Sequence, residues 1–255
     1  MKAIALGALQ GLTEFLPVSS SGHLVIAQHL LGVGEGQVAF DVAVHLGTLA
    51  AVLIVFRKEI LSMVLGVAGR DRLGLRRVWL VVVGSIPAGV VGVLFKDTLE
   101  GLFSSVLAAA LGLIFTGAWL MLTRWIPPGR RGPAETGAGR ALWVGIMQAL
   151  AIIPGVSRSG TTIGAGLVAG LERGWAGAFS FLLAIPAITG ASLLEVRAIA
   201  RVELAPVLAG ALTAAVVGWA ALKVLMGVVK AGRLHVFAWY CWALAAIGIW
   251  IALGG

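Results

Sequence analysis

Gln10, Glu14, Ser19, Ser20, Ser21 and His23 fall within fourteen residues of an otherwise apolar stretch. Gln10 and Glu14 are four apart, so on a helix they share a face. Pro17 ends that arm, and the three serines with Gly22 make a turn. A hydroxyl in such a turn often caps the next helix, which accounts for one or two of the serines. It does not account for Glu14. A carboxylate inside a membrane is expensive unless paired or hydrated, so its presence points to function. His23, beside the serines, has the chemistry to exchange a proton near neutral pH. Asp41 and His45 form a further i, i+4 pair, readable as a boundary ion pair or as a support for the site. His29 is read as packing or an interface.

A second polar break runs Pro154-Gly155-Val156-Ser157-Arg158-Ser159-Gly160-Thr161-Thr162. Its glycines let backbone approach a ligand. Hydroxyls and free amides opening a helix make an anion site. Arg158 adds a planar donor fork suited to phosphate oxygens. One cationic tip and one carboxylate, histidine and serine tip together match phosphoryl transfer, in which positioning and charge neutralisation dominate. Apolar surroundings suit a lipid-linked phosphate.

The two breaks correspond. Val18-Ser19-Ser20-Ser21-Gly22 returns 138 positions later as Val156-Ser157-Arg158-Ser159-Gly160. In the same register Gly7 meets Gly145, Gln10 meets Gln148 and Leu12 meets Leu150. Phe40-Asp41-Val42-Ala43 meets Phe179-Ser180-Phe181-Leu182 with a shift of one. Polar breaks at matching places in an apolar, self-similar chain predict a site built at a repeat interface from broken helices.

The elements that must position these residues are membrane helices. The chain has 255 residues, 60% hydrophobic and 12% charged, and its mean hydropathy is +1.03. That composition predicts an all-α polytopic membrane protein and excludes a soluble domain. The net charge of +8 reads as cytoplasmic loops, not nucleic-acid binding. Cys241 has no internal partner and reads as packing. A cleavable signal peptide is not expected, because Glu14, Pro17 and the serines interrupt the first apolar stretch.

Six stretches are long enough to span: about 38–56, 78–95, 102–122, 179–194, 204–222 and 236–253, the fourth extending back through Gly174–Ala178. The regions 3–31 and 141–171 divide into short arms and predict re-entrant helix-loop-helix hairpins, tolerable where buried in protein or wetted. Each half then has one hairpin and three spans, an inverted-topology repeat with halves 1–125 and 141–255 joined by a cytoplasmic linker, 126–140. Basic loops 57–77, 123–140 and 223–235 alternate with the loops 96–101 and 195–203, which carry Lys96, Asp97 and Glu100, and Glu195, Arg197, Arg201 and Glu203. The positive-inside rule therefore places both termini outside.

Residues 10–23, Gln-Gly-Leu-Thr-Glu-Phe-Leu-Pro-Val-Ser-Ser-Ser-Gly-His, and 154–162 resemble the two signature motifs of the undecaprenyl-diphosphate phosphatase, or bacitracin-resistance protein, family. Phe-Asp-Val-Ala-Val-His-Leu-Gly (40–47) and Phe-Ser-Phe-Leu-Leu-Ala-Ile-Pro (179–186) are also similar to family segments. The resemblance implies a multi-pass enzyme of the bacterial plasma membrane. It would hydrolyse undecaprenyl diphosphate to the monophosphate and inorganic phosphate, recycling the lipid carrier of cell-wall synthesis, as monomer or homodimer. It sets Glu14, Ser20, His23 and Arg158 at the family's essential positions. Gln10 stands where the family has Glu or Gln. A Glu there would let two carboxylates share a cation. With Gln10 neutral, the implied Mg2+ or Ca2+ has Glu14 as its candidate protein ligand, or arrives on the substrate's diphosphate.

The expected arrangement has Arg158, Ser157, Ser159, Gly160, Thr161 and Thr162 clamping the diphosphate, completed by Gln10, Ser19 and Ser21. Gln148 and Asp41 support. Either Ser20 attacks phosphorus, with His23 and Glu14 handling protons, or water attacks and Ser20 binds. Ser21-Gly22-His23 also echoes the type-2 phosphatidic acid phosphatases, but the other elements of that family are missing at suitable spacing. A lipid-phosphate flippase or ion-coupled carrier is the non-enzymatic alternative, since such proteins also use inverted repeats.

Overall fold

The computed structural model describes residues 2–31, 38–194 and 204–253. They form twelve α-helices: α1 (Lys2–Phe15), α2 (Ser20–Leu31), α3 (Val38–Val55), α4 (Arg57–Val67), α5 (Arg72–Leu94), α6 (Lys96–Phe103), α7 (Val106–Leu122), α8 (Ala138–Leu150), α9 (Arg158–Val168), α10 (Arg173–Leu194), α11 (Leu204–Lys230) and α12 (Phe237–Ala252). No strand occurs among the described residues, only an isolated bridge between Arg131 and Leu171.

Five segments are long and apolar enough to cross a membrane: Arg72–Leu94, Val106–Trp125, Arg173–Leu193, Leu204–Lys230 and Leu234–Ala252. They coincide with five of the six expected spans. The sixth, 38–56, is α3, whose apolar stretch Phe40–Val55 is shorter than these. The fourth expected span does reach back, to Arg173, and the fifth runs on to Lys230 through half of the expected loop 223–235. The expected loops 57–77 and 96–101 contain helices α4 and α6. Charged residues at Arg57, Lys58 and Glu59 disguise the start of α4, which follows α3 after a single non-helical residue, Phe56. The loop 195–203 lies outside the described residues, as do the side chains of His29, Lys96, Asp97 and Glu100.

The site depends on four short helices. α1, α2, α8 and α9 have 14, 12, 13 and 11 residues, too short for the ~20 that cross hydrocarbon. α1 stops before Pro17, and α2 begins just beyond Ser19, whose hydroxyl accepts from the Gly22 amide at 3.2 Å. α9 begins at Arg158, capped by Ser157, whose hydroxyl accepts from the Gly160 amide at 3.2 Å.

These helices pack against long ones. α1 lies along α11, and α8 lies along α5. The approach is close: a Cβ on Gly7 would strike the Gly210 carbonyl, and one on Gly145 the Gly84 carbonyl. α12 pairs with α7, and α11 also packs on α3. The end of α1 is locked from behind. Phe15 meets Phe181 of α10 edge-on at 5.6 Å, and Phe181 stacks on Phe56 at 5.8 Å. Phe15 and Phe181 are fully buried. Glu14 is therefore the neighbour of a fully buried aromatic anchor.

Candidate active site

Both polar breaks meet at Glu14. Arg158 Nη2 donates to Glu14 Oε1 at 2.6 Å. Ser20 Oγ donates to Glu14 Oε2 at 2.9 Å, and Gln10 Nε2 donates to the same oxygen at 3.1 Å. His45 Nε2 stands 3.7 Å from Oε2. The buried carboxylate is thus charge-paired and hydrogen-bonded at both oxygens, the condition for keeping a charge out of water. Arg158 Nη1 is buried with no acceptor among the described residues. A donor left this way is costly until a ligand oxygen takes it.

These groups, except the buried Gln10, border a cavity of about 390 Å³, so Gln10, expected to bind diphosphate, reaches it only through Glu14. Glu14, Ser19, Ser20, Ser21, Asp41, His45, Ser157 and Arg158 supply its polar wall. Phe103, Ile152, Ala187, Ile188 and Ala191 supply an apolar wall from α6, α10 and the end of the α8 arm. A charged group beside an apolar channel suits an amphiphile with a phosphate head.

The structure separates other expected site residues from this cavity. His23 turns away: its Nδ1 lies 2.8 Å from the Ser19 carbonyl and its Nε2 2.7 Å from the Tyr240 hydroxyl. Ser159, Gly160, Thr161 and Thr162 face inward. Thr161 Oγ1 donates to the Ser157 carbonyl at 2.6 Å, and Thr162 Oγ1 to the Arg158 carbonyl at 2.6 Å. Thr162 also meets Ser180 Oγ at 2.6 Å. Two of the tip's amides are engaged by hydroxyls, Ser157 N by Thr116 Oγ1 at 2.9 Å and Gly160 N by Ser157 Oγ. The second tip therefore offers the cavity Ser157 and Arg158, while its other polar groups hold the turn. Gln148 is buried, and neither of its amide atoms has a partner among the described residues.

Sequence reading underweighted three residues. Thr116 ties α7 to the second tip, also donating to the Gly155 carbonyl at 2.9 Å. Tyr240 arrives from α12, and no local spacing connects it to His23. His45 carried a signal, its i, i+4 relation to Asp41, whose carbonyl lies 2.7 Å from His45 Nδ1. One conformational outlier marks the first tip: Ser19 has φ +62°, the one positive value outside glycine among the described residues. Such strain persists where surroundings impose it, often at functional sites.

No cluster of three His, Cys, Asp or Glu side chains able to hold a metal occurs among the described residues. Glu14, the expected ligand, is already paired with Arg158. These residues do not by themselves fit a protein-held cation.

An all-helical, multi-pass membrane protein with a buried carboxylate–guanidinium site is the class that fold and geometry define. The family model described as bacitracin resistance protein BacA matches residues 3–247. The undecaprenyl-diphosphatase of Desulfosudis oleivorans is 48% identical, the match covering 99% of this chain and 98% of that one. Those of Carboxydothermus hydrogenoformans and Methanosphaera stadtmanae are 42% and 40% identical, over 95% and 98% of this chain and 94% and 96% of theirs. The chain belongs to the BacA bacitracin-resistance family.

Proposed function

We propose that the cavity around Glu14 is where this chain hydrolyses undecaprenyl diphosphate to undecaprenyl phosphate and inorganic phosphate. The activity is that of its full-length relatives. The observation that carries the reading is the convergence of Arg158 and Ser20 on Glu14 from opposite tips, in one cavity. Arg158 neutralises and orients the terminal phosphate, helped by its orphaned Nη1. Glu14 polarises Ser20, the candidate nucleophile. Gln10 holds Glu14 in place. Ser19, Ser21 and Ser157 line the phosphate end, and Asp41 supports it through His45. His23 acts at one remove, clamping the Ser19 backbone against Tyr240. A divalent cation, Mg2+ or Ca2+, enters with the substrate, whose diphosphate oxygens are hard ligands. Both tips belong to one chain, so a single copy suffices.

The architecture that suits this is an inverted repeat, 1–125 and 141–255, with re-entrant hairpins at 3–31 and 141–171. Its support is the matched packing of α1 on α11 and α8 on α5, each through a glycine pair, Gly7 with Gly210 and Gly145 with Gly84. The cavity lies toward the starts of α3 and α7 and the end of α10, through Asp41, Phe103 and Ser192. Those ends are opposite the basic loops, so we assign the opening and both termini to the outer face of the plasma membrane.

Phosphate release from detergent-solubilised protein given undecaprenyl diphosphate tests the reading. Wild type releases phosphate and EDTA suppresses it. Arg158→Ala and Glu14→Ala each lose at least about 10²-fold in kcat/KM. Absence of release by folded wild type with added Mg2+ or Ca2+ overturns the reading, and a flipping assay then tests the carrier alternative.

A further inference from the structure

We propose that His45 is a catalytic residue of this hydrolysis, the group whose Nε2 takes the proton of the attacking water; the inference rests on the phosphatase reading above. Two histidines flank the site, and their hydrogen bonds divide the roles. In each, Nδ1 lies against a backbone carbonyl, Ser19 for His23 at 2.8 Å and Asp41 for His45 at 2.7 Å. A carbonyl only accepts, so both Nδ1 atoms carry hydrogen and only Nε2 is left to exchange a proton. His23 Nε2 is occupied, accepting from the Tyr240 hydroxyl at 2.7 Å outside the cavity wall. His45 Nε2 has no hydrogen-bond donor among the described residues and lies beside Glu14 Oε2 at 3.7 Å. Its side chain is 32% exposed, in the wall of the same cavity.

The orientation of that ring is fixed by its own helix. Asp41 and His45 are one turn apart on α3, and Thr48 Oγ1 donates to the His45 carbonyl at 2.8 Å. The imidazole can therefore gain and lose a proton without turning. This is how a base is held when a carbonyl or carboxylate fixes its far nitrogen. The charge it gains forms next to Glu14, which stabilises it.

The step balances. The water oxygen bonds to phosphorus while one of its protons passes to His45 Nε2. The P–O bond opposite breaks, its electron pair staying on the departing oxygen. That oxygen belongs to the lipid monophosphate if water attacks the substrate, or to Ser20 if water cleaves a phosphoserine. His45 then returns the proton to that oxygen or to solvent, and no other reactant is needed.

Among the described residues, the ionisable groups facing His45 are few. α1 contributes Glu14, α9 contributes Arg158, and α3 itself contributes Asp41. The described part of α11 is charged only at Lys223 and Lys230, and that of α10 only at Arg173. Gly47 packs against Ala211, so Lys223 lies about 18 Å further along α11. Ile188 borders the cavity with His45, so Arg173 lies about 22 Å back along α10.

The test is steady-state hydrolysis of undecaprenyl diphosphate by the full chain across pH. His45→Gln keeps size and polarity but cannot act as a base. It is expected to lower kcat by about 10²-fold or more with KM within a few-fold, and to remove the acid-side limb of the wild-type pH profile. His45→Ala is expected to recover at least several-fold in kcat with added imidazole. His23→Gln is expected to lower activity while keeping that limb. A wild-type limb that survives in His45→Gln, or is lost in His23→Gln instead, overturns the assignment while the phosphatase reading stands. A folded wild type that releases no phosphate overturns both.

Discussion

Glu14 holds Arg158, Ser20 and Gln10 at once, and His45 stands over the same oxygen that Ser20 and Gln10 share. In the resting site the arginine's charge is spent on this carboxylate. On the proposed mechanism, a diphosphate entering the cavity would compete for it with more negative charge and more acceptor oxygens, leaving Glu14 to the Ser20 hydroxyl it already holds. Ser20 hydrogen-bonded to a carboxylate is the geometry of a nucleophile held by its base. Ser20→Ala is expected to lose at least about 10²-fold in kcat, with labelled phosphate trapped on Ser20 in quenched wild-type turnover. Turnover of Ser20→Ala close to wild type would assign the attack to water. Glu14 and Arg158 stand out in the sequence, because a carboxylate and a guanidinium in an apolar chain need a reason to be there, whereas Ser20 is singled out among three serines only by the family motif. The division of labour between His23 and His45 was not. It depends on which donor reaches each Nε2, and Tyr240 lies 217 residues from His23.

At the scale of elements, the helix ends do most of the placing. Ser157 and Ser19 cap the second arms, so Arg158 and Ser20 are the first residues of their helices. A similar device stabilises the junction of α4 and α5. Asp71 accepts from the Gly74 amide at 2.9 Å and from Ser62 Oγ at 2.5 Å, while Arg77 Nη1 donates to Ser62 Oγ at 2.6 Å. The Ser62 hydroxyl first, and then the Gly74 amide, hold the Asp71 carboxyl below its ordinary range. A carboxylate with a depressed folded pKa adds stability that is full above its unfolded pKa and is lost as pH falls through the folded one. Asp71→Asn is therefore expected to lower Tm at neutral pH, with the difference from wild type shrinking as the medium is acidified below the carboxylate range. A difference in Tm that does not change with pH would contradict this. The cap was not anticipated, since α4 itself was hidden within a basic loop.

In the whole molecule, the segment joining α7 to α8 is pinned as well as connecting. Arg76 donates to the carbonyls of Pro133 and Thr136 at 3.0 and 2.9 Å, and Trp175 Nε1 donates to Thr136 Oγ1 at 2.9 Å. It binds α5 to α10 on the face crowded with basic residues. Cys241 is buried, its sulfur 3.4 Å from the Pro17 carbonyl. Cys241→Ala thus gives a background for topology mapping. In it, Glu135→Cys is expected to resist a membrane-impermeant maleimide in intact cells and to react once the cytoplasmic face is opened. Ser104→Cys is expected to react in intact cells. The reverse pattern would invert the proposed orientation and the side on which the cavity opens.

Composition and hydropathy alone determined that the chain is helical and membrane-embedded, because burying so much apolar surface without water leaves the backbone few other ways to satisfy itself. Pro17, the serines and the Gly-rich run at 154–162 marked where helices break, because proline lacks an amide donor and hydroxyls cap. Charge in an apolar setting singled out Glu14 and Arg158. Only the tertiary structure decided which side chains share the cavity. It took Thr161 and Thr162 inward to their own backbone and Ser159 to the Ser157 hydroxyl, and brought His45 onto Glu14. Local pattern fixes where a helix starts and which face is apolar. Which polar groups meet across 144 residues, as Glu14 and Arg158 do, is set by how the long helices pack, and packing is a property of the assembled chain.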